Sequence, residues 1–295
     1  MKIFTPATSA NLGPGFDSLG IALKLYNEVE ITKQSFTSIS VDGFGSTQSN
    51  LKQKNPFINI FNEFYSSLNP EKSNFKFHFT NNIPFSRGLG SSSSVIIGAI
   101  GAAYEMAGFK IQKSTILNKA LFYESHPDNI SPAVYGGFTA NILKNGEVLT
   151  QRAELDENLR AVMVIPDQPI STEKSRQALP KNYSKADCVS NLSHAAFLTA
   201  CFIKKDYQML KFASIDKMHE DYRMNLLPDL FEVRKIAYDN GSLMSVLSGS
   251  GSSFLNLIYK DDAQKLKSAL SSKFTKFEVE IYELDNNGFV IQSWK

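Results

Sequence analysis

A run of glycine and serine residues leading into a helix constrains this chain more than any other feature. The run reads Pro84-Phe85-Ser86-Arg87-Gly88-Leu89-Gly90-Ser91-Ser92-Ser93-Ser94. Its glycines allow tight turns and close approach to an anion, and the first helical turn carries unpaired N–H groups at the positive end of the helix dipole. Serine hydroxyls add further donors. The run predicts a phosphate-binding loop, although a serine-capped turn before a buried helix explains this segment alone equally well.

The loop does not match the two most familiar nucleotide fingerprints. No Gly-Lys-Ser/Thr follows, so it is not a Walker A loop. A serine stands where a dinucleotide-binding loop has its third glycine. The predicted phosphate site is therefore of another kind.

Hydrophobic periodicity predicts a mixed α+β architecture in both halves of the chain. In the first half it predicts strands within 21–41, a helix over 57–68, a strand over 75–79, and helices over 92–107 and 114–124, the last with Ser114 as N-cap. In the second half it predicts strands over 160–166, 242–247, 253–259 and 277–284, and helices over 190–204, 206–219, 228–240 and 261–272. The polar stretch 144–158 suggests a boundary between domains 1–155 and 156–295.

Composition excludes several classes of protein. The 295 residues are 42% hydrophobic, which is ample for a packed core. Lys and Arg number 31 against 29 Asp and Glu, and only six are Arg, so we expect no nucleic-acid partner. The longest apolar stretch, 95–104, is far short of a membrane span, and the first residues lack a signal-peptide core. We expect a soluble cytoplasmic protein without a membrane partner.

Three further segments combine glycine with polar side chains. Residues 6–20 place Asn11 and Asp17 among three glycines between apolar strands, which a long hairpin loop would also explain. Glu124-Ser125-His126-Pro127-Asp128-Asn129, followed by Gly136-Gly137, could hold a metal ion or an amino acid, or could be a solvated helix end. Leu247-Ser248-Gly249-Ser250-Gly251-Ser252-Ser253 is a weak signal by itself.

Taken together and in this order, these segments resemble the motifs of the GHMP kinase superfamily. Residues 6–20, 84–94 and 247–253 look like family motifs 1, 2 and 3. The wording Pro-Ala-Thr-Ser-Ala-Asn-Leu-Gly-Pro-Gly-Phe-Asp of motif 1 is similar to the opening of the homoserine kinases, and His126–Asn129 is similar to their substrate segment.

The resemblance implies a two-domain fold, activity and ligands. The N-terminal domain would resemble domain 2 of ribosomal protein S5, and the C-terminal domain would be ferredoxin-like. The activity implied is ATP- and Mg²⁺-dependent phosphorylation of L-homoserine to O-phospho-L-homoserine, a step toward threonine. Family members are commonly homodimers.

The resemblance also implies roles for individual residues. ATP would be bound by Pro84–Ser94 together with Gly249 and Gly251. Ser92 and Glu124 look like the Mg²⁺ ligands. Both offer oxygen atoms, the ligands that Mg²⁺ prefers. The homoserine-binding positions are the following: Asn11, Asp17, His126, Asp128, Arg176 and Arg223. An aspartate would suit the substrate ammonium, and guanidinium groups would suit the substrate carboxylate. For each arginine the alternative is an exposed ion pair.

The position of the general base in related kinases is Asn129 here, which cannot accept the hydroxyl proton. We therefore expect catalysis by positioning and charge neutralisation, with Ser92, Glu124 and Asn129 at the reacting groups, because phosphoryl-transfer transition states need little prior deprotonation. A mevalonate or galactose kinase would have no ammonium to pair with Asp17 and Asp128. A non-catalytic sensor on the same fold is an alternative from another class, although no motif glycine is lost.

Overall fold

The computed structural model describes residues 1–49 and 53–293. Two β-sheets organise them: one of seven strands, formed mainly by the first half of the chain, and one of four strands in the second half. The prediction of a mixed α+β architecture is confirmed.

The seven-stranded sheet begins with a long antiparallel pair. Strand β1 (Lys2–Ala10) pairs with β2 (Leu19–Gln34), and β2 continues to β4 (Asn74–Asn81), which pairs in parallel with β3 (Ser38–Gly43). The other end of β2 pairs with β5 (Phe138–Lys144), which forms a hairpin with β6 (Glu147–Ala153). The last strand, β11 (Val290–Gln292), returns to pair with β1.

Four helices bounded within the described residues accompany this sheet. They are α1 (Pro56–Leu68), α2 (Ser91–Met106), α3 (Lys113–Ala120) and α4 (Pro127–Tyr135). The apolar stripe of α1 packs its phenylalanines against those of β4, with the Phe57 and Phe79 rings 5.2 Å apart edge to face. Helix α2 is rich in Ala and Gly, which let neighbouring elements pack closely around it, and it is buried on nearly every side. This packing fixes its N-terminus at the motif 2 loop.

The four-stranded sheet has the order β10-β7-β9-β8, all neighbours being antiparallel. Its strands are β7 (Leu159–Ile165), β8 (Met244–Leu247), β9 (Phe254–Tyr259) and β10 (Glu278–Glu283). The accompanying helices are α5 (Thr172–Gln177), α6 (Lys185–Lys204), α7 (Leu210–Ala213), α8 (Glu220–Met224), α9 (Asp229–Asp239) and α10 (Lys260–Lys273).

The predicted helix over 206–219 is wrong. The chain forms a 3₁₀ turn at Tyr207–Met209 and the short α7, and then a loop up to α8. The Asp216 carboxylate accepts the backbone N–H groups of Met218, His219 and Glu220 at 3.1, 2.7 and 2.8 Å. These bonds hold residues 216–220 in a tight loop that leads into α8, so a helix cannot continue through residue 219.

Several elements were not predicted, among them the β5–β6 hairpin and α4, and both ends of one predicted helix were misplaced. The polar stretch taken as a linker contains most of the β5–β6 hairpin, whose turn Asn145-Gly146 has both residues at positive φ. Residues 127–135 form α4, with Pro127 in its first turn. The predicted helix over 114–124 ends at Ala120, and its N-cap is Gln112 rather than Ser114.

Candidate functional site

The motif 2 loop turns sharply at its glycines before α2 begins. Gly88 and Gly90 have φ of +75° and +68°, and Gly90 is the N-cap of the helix. A Cβ on Gly90 would lie 2.0 Å from the Thr8 hydroxyl oxygen, so only glycine fits there. The loop therefore presents the free N–H groups at the start of a 16-residue helix, the arrangement that binds phosphate.

Motif 3 locks this loop in place from the second domain. The Ser248 hydroxyl donates to the Gly88 carbonyl at 2.7 Å, and the Ser253 N–H donates to the Arg87 carbonyl at 3.0 Å. The Arg87 guanidinium donates to the carbonyls of Pro166, Phe85 and Asp167. The Arg87 guanidinium and the contacts from motif 3 thus anchor the loop, with backbone carbonyls as the acceptors.

Two adjoining cavities open on the motif 2 loop. One of about 160 Å³ is lined by most of residues 84–93 together with Glu124, Asn129, Gly249 and Ser250. A second, of about 340 Å³, shares Ser86, Ser91 and Ser92 with it and is otherwise bordered by apolar and amide side chains, among them Phe57, Phe79 and Phe85. A polar pocket joined to a larger apolar one suits a phosphate chain attached to a flat aromatic base.

Glu124 is the carboxylate of the smaller cavity. It accepts a hydrogen bond from the Ser93 hydroxyl at 2.6 Å, and burial raises its pKa, with the Ser93 hydrogen bond opposing the shift. Ser92 lines the same cavity and is exposed, whereas Ser93 is buried. The serine that contacts Glu124 is therefore the neighbour of the one that the resemblance implied. A half-buried carboxylate beside hydroxyls is a donor set of the kind that Mg²⁺ accepts.

Asn11 connects the motif 1 loop to motif 3. Its amide nitrogen donates to the Gly249 carbonyl at 2.9 Å, and its amide oxygen accepts the Asp17 N–H at 2.9 Å. Asn11 and Asp17 both have positive φ, a conformation that Asn and Asp tolerate better than most residues. Asn11 thus fixes the loop that presents Asp17.

Asp17 lies beside two charged or ionisable partners, Arg176 and His126. Arg176 on α5 donates to its two carboxylate oxygens at 2.7 and 3.2 Å, and His126 Nε2 lies 3.5 Å from one of them. Burial lowers the pKa of His126, opposed by Asp17. The structure therefore brings together three of the predicted substrate positions from three distant segments of the chain.

Arg223 is buried and stacks on Phe16. The guanidinium carbons of Arg223 and Arg176 lie 5.1 and 5.4 Å from the centre of the Phe16 ring. Arg223 Nη1 donates to the Gly249 carbonyl and to His219 Nδ1, while its Nε has no partner among the described residues. Burial and the nearby Arg176 lower the pKa of Arg223 to about 10. The surface ion-pair alternative is thus excluded for Arg223, which is 3% exposed.

His219 holds Arg223 from behind. Because its Nδ1 accepts from Arg223, its Nε2 carries the proton and donates to the Gly13 carbonyl at 2.8 Å. Burial lowers the pKa of His219 to about 4, so the ring stays neutral and keeps both hydrogen bonds. This side chain links the motif 1 loop to the arginine.

Asp128 is the second residue of α4 and its side chain is buried, with 4% of the residue exposed. It lies near the carboxylates of Asp17 and Glu124. Burial is the main cause that raises its pKa to about 8; the two carboxylates add to this shift and Arg176 opposes it. A buried carboxyl group surrounded by acids is poorly stabilised as an anion until a cation arrives.

Asn129 faces the phosphate cavity next to Asp128. Its side-chain oxygen accepts the Thr8 hydroxyl at 2.8 Å, which leaves its N–H₂ group as the donor toward the cavity. An amide in this arrangement donates and cannot accept a proton.

Not every predicted ATP-binding residue faces the cavities. Ser94 is buried, donating to the Ser91 carbonyl and accepting from Asn27. Gly251 donates its N–H to the Ser248 carbonyl and packs against Leu247. Leu89 lines the smaller cavity, although its side chain belongs to the hydrophobic core. Ser94 and Gly251 therefore support the loops without facing a cavity.

Sequence reasoning missed Thr8, Phe16 and His219, and it placed Ser93 in the ATP-binding run without its contact to Glu124. Phe16 lies within motif 1 beside Asp17, and this position was the sequence signal that could have indicated its role. No sequence signal indicated His219, because its contact with Gly13 joins residues 206 positions apart.

Comparison with known proteins identifies the class. Residues 55–137 match the GHMP kinases N terminal domain, and residues 203–276 match the GHMP kinases C terminal family. Homoserine kinase of Campylobacter fetus is 66% identical over 99% of this chain and all of that protein, and that of Campylobacter jejuni is 57% identical over 99% and all of its length.

Solved structures agree in fold. A crystal structure of homoserine kinase from Cytophaga hutchinsonii superposes with a TM-score of 0.86 at 24% identity, covering 98% of this chain and 96% of that one. Mevalonate kinase of Methanococcus jannaschii gives 0.73 at 16% identity, covering 96% and 98%. The fold and the phosphate site therefore define a GHMP kinase with its N- and C-terminal domains. Within that class, the chain belongs to the homoserine kinase family.

Proposed function

We propose that this chain transfers the γ-phosphate of ATP to the side-chain hydroxyl of L-homoserine, giving O-phospho-L-homoserine for threonine synthesis. The observation that carries the proposal is the convergence of Asp128, Arg176 and Arg223 beside a phosphate-binding loop. Homoserine offers an ammonium, a carboxylate and a hydroxyl. One buried acid and two arginines match the first two groups, and the adjoining cavity receives the third.

The substrate ammonium pairs with Asp128, with Asp17 adding negative charge nearby. The substrate carboxylate pairs with Arg223 and Arg176, whose guanidinium planes are suited to a carboxylate. The unpartnered Arg223 Nε supports this role, because a buried guanidinium N–H without an acceptor is costly. Neither mevalonate nor a sugar supplies the ammonium that the Asp128 environment favours.

ATP occupies the two adjoining cavities, with its base in the larger one and its phosphates against the N–H groups of α2. Mg²⁺ would be held by Glu124 and Ser92, with the Ser93 hydroxyl orienting the carboxylate. When bound, the ion neutralises charge on the phosphate oxygens.

The chain's own contribution to transfer is positioning. Asn129 donates toward the cavity but cannot take a proton, so the substrate hydroxyl attacks the γ-phosphate directly. As the new O–P bond forms, the bond to ADP breaks and ADP leaves, and the hydroxyl proton passes to an oxygen of the transferred phosphoryl group. The Gly88–Ser93 backbone holds the phosphate, and the Asp128–arginine cluster holds the amino acid. We propose that the protein is cytoplasmic, where ATP is available, and works as a homodimer.

The test is ADP release with Mg-ATP and each of several acceptors: L-homoserine, mevalonate, galactose, shikimate and L-threonine. We expect turnover with L-homoserine alone. Turnover with another acceptor and none with L-homoserine would overturn the substrate assignment, and Mg-ATP binding without any turnover would favour the sensor alternative.

Glu124→Gln should lower kcat at least a hundredfold while leaving the homoserine KM within about threefold, because the lost charge acts on the phosphate side. The measurement is steady-state kinetics with each substrate varied. Glu105→Gln, on the far end of α2, is the matched control and should change neither constant. A homoserine KM that rises while kcat is preserved would instead place Glu124 in the amino-acid site.

A further inference from the structure

His219 lies buried between the motif 1 loop and an arginine of the amino-acid site. The residue is 0% exposed and stands four positions before Arg223, at the start of α8. Arg223 Nη1 donates to His219 Nδ1 at 3.2 Å, and His219 Nε2 donates to the Gly13 carbonyl at 2.8 Å. An arginine can only donate and a carbonyl can only accept, so these two bonds require an uncharged ring with its proton on Nε2.

The ring of His219 is held from two sides. Gly13 has φ of +75°, and a Cβ there would lie 2.5 Å from the Ser214 carbonyl oxygen, so the motif 1 loop packs tightly against this segment. On the other side, the Asp216 carboxylate accepts the His219 N–H at 2.7 Å and the Asn191 amide at 2.9 Å. Two separate segments of the chain therefore fix the position of the ring.

The hydrogen bonds of Arg223 occupy one end of its guanidinium. Nη1 donates to His219 and also to the Gly249 carbonyl, at 3.1 Å, whereas Nε has no partner among the described residues. A guanidinium binds a carboxylate through two parallel N–H groups, and Nε and Nη2 form such a pair. Because Nη1 is already engaged, the Nε–Nη2 edge is the one left for a carboxylate.

The two arginines of the site differ in the charge of their partners. Arg176 donates to both carboxylate oxygens of Asp17, at 2.7 and 3.2 Å, so its charge is compensated by direct contact. The direct partners of Arg223 are an uncharged ring and a backbone carbonyl. Burial, with Arg176 nearby, lowers the pKa of Arg223 to about 10, as expected for a cation without an acid in contact.

We propose that His219 is a positioning residue for the amino-acid substrate. By accepting from Nη1 without adding negative charge, it presents the Nε–Nη2 edge of Arg223, with its charge uncompensated, to the substrate carboxylate. Without this acceptor the guanidinium turns toward Asp17 or Asp128, the acids whose charges act on it. The functional half of this inference rests on the proposed function, whereas the placement of Arg223 by His219 does not.

Two substitutions separate the two hydrogen bonds of the ring. In His219→Asn the amide oxygen takes the place of Nδ1, so the acceptor for Arg223 is kept and the bond to Gly13 is lost. In His219→Gln the amide nitrogen takes the place of Nε2, so the bond to Gly13 is kept and the acceptor is lost.

Steady-state kinetics with each substrate varied compares these variants. We expect His219→Gln to raise the homoserine KM about tenfold or more, because a hydrogen bond to a charged group is lost, and His219→Asn to stay within about threefold of wild type. Both should leave kcat and the ATP KM within about threefold, since the phosphate loop is untouched. His78→Gln, the same change on β4, is the matched control and should alter neither constant.

A double-mutant cycle excludes a merely structural role. If His219 acts through Arg223, His219→Gln should lower kcat/KM for homoserine in wild type but not in an Arg223→Met background, whose unbranched side chain fills the buried space. An equal loss in both backgrounds, or a His219→Asn variant as impaired as His219→Gln, would overturn the proposal.

A crystal structure of ligand-free His219→Gln separates this inference from the proposed function. We expect the Arg223 guanidinium to leave the Gly249 carbonyl and pair with Asp17 or Asp128. An Arg223 that keeps its wild-type position would overturn the positioning role of His219. If wild type turns over no homoserine, the proposed function fails, and a displaced Arg223 in this variant still establishes that His219 places the arginine.

Discussion

At the scale of single residues, Asp128 combines a cost in stability with a use in binding. In the folded chain its pKa is about 8 against an ordinary 3.8, so folding favours the protonated acid. The stability that protonation provides is present at low pH and is lost as pH rises through about 8. The carboxylate becomes favourable only when a cation is bound beside it.

Asp128→Asn should therefore stabilise the ligand-free protein at pH 8 by about 1–3 kcal/mol, because the amide replaces a buried charge. The same variant should raise the homoserine KM at least a hundredfold. Urea unfolding at pH 5 and pH 8 measures the first effect, and the gain should be larger at pH 8. If the variant gained the same free energy of unfolding over wild type at both pH values, burial would not destabilise the Asp128 carboxylate.

The homoserine KM should fall as pH rises from 6 to 8, by up to tenfold per unit, and level off above. The cause is deprotonation of Asp128, which faces Asp17, Glu124 and Arg176, because only its anion pairs with the ammonium. The profile of kcat should stay flat over the same range. A kcat that rises with the same pKa would instead make this carboxyl a general base and contradict direct attack.

At the scale of structural elements, the proposed phosphate site depends on contacts between two loops from different domains. Gly88 has φ of +75°, and a Cβ there would lie 2.1 Å from the Ser248 carbonyl oxygen. That oxygen belongs to motif 3, so the clash cannot be relieved within the motif 2 loop. The glycine is required by contact as well as by conformation.

Gly88→Ala should raise the ATP KM at least tenfold and destabilise the fold by about 2–4 kcal/mol. Gly146→Ala is the control: it has φ of +81° in the β5–β6 turn, with no atom within 4 Å of a Cβ. It should cost about 1 kcal/mol and leave the ATP KM unchanged. Thermal unfolding and ATP-dependent initial rates measure both. Equal effects would mean that φ alone matters at Gly88.

At the scale of the whole molecule, the end of the chain closes the sheet formed by its beginning. Strand β11 pairs with β1, and Phe289 is buried in the N-terminal core against Gly101 of α2, whose Cβ position lies 2.1 Å from the ring. Helix α2 carries the phosphate loop at its other end. The C-terminal residues thus stabilise the helix on which the nucleotide site is built.

Phe289→Ala should destabilise the protein by about 3–5 kcal/mol, through the cavity left against α2. The control is the neighbouring Val290, which is 36% exposed: Val290→Ala should destabilise the protein by less than about 1 kcal/mol. Chemical denaturation of the two variants gives the comparison. A small effect at Phe289 would show that α2 is held without the C-terminal segment.

By itself, the sequence determined the features that lie within one segment. The glycines and serines of residues 84–94, the period of the apolar residues in α1, α2 and α10, and the wording of residues 6–17 all act over a few turns of chain, so the fold class and most positions of the site could be predicted. The boundary between domains remains a prediction, as do the roles assigned to the site residues.

Only the tertiary structure decided what depends on contacts between distant segments. In place of the helix predicted over 206–219, the chain forms a loop held by Asp216. Ser93, and not Ser92, contacts Glu124. His219 contacts Gly13, and Arg223 stacks on Phe16. Such contacts leave no local pattern, because their partners lie many tens of residues apart. The raised pKa of Asp128 has the same origin: a carboxyl group near the N-terminus of a helix is ordinary in sequence, and only packing buries it beside Asp17 and Glu124.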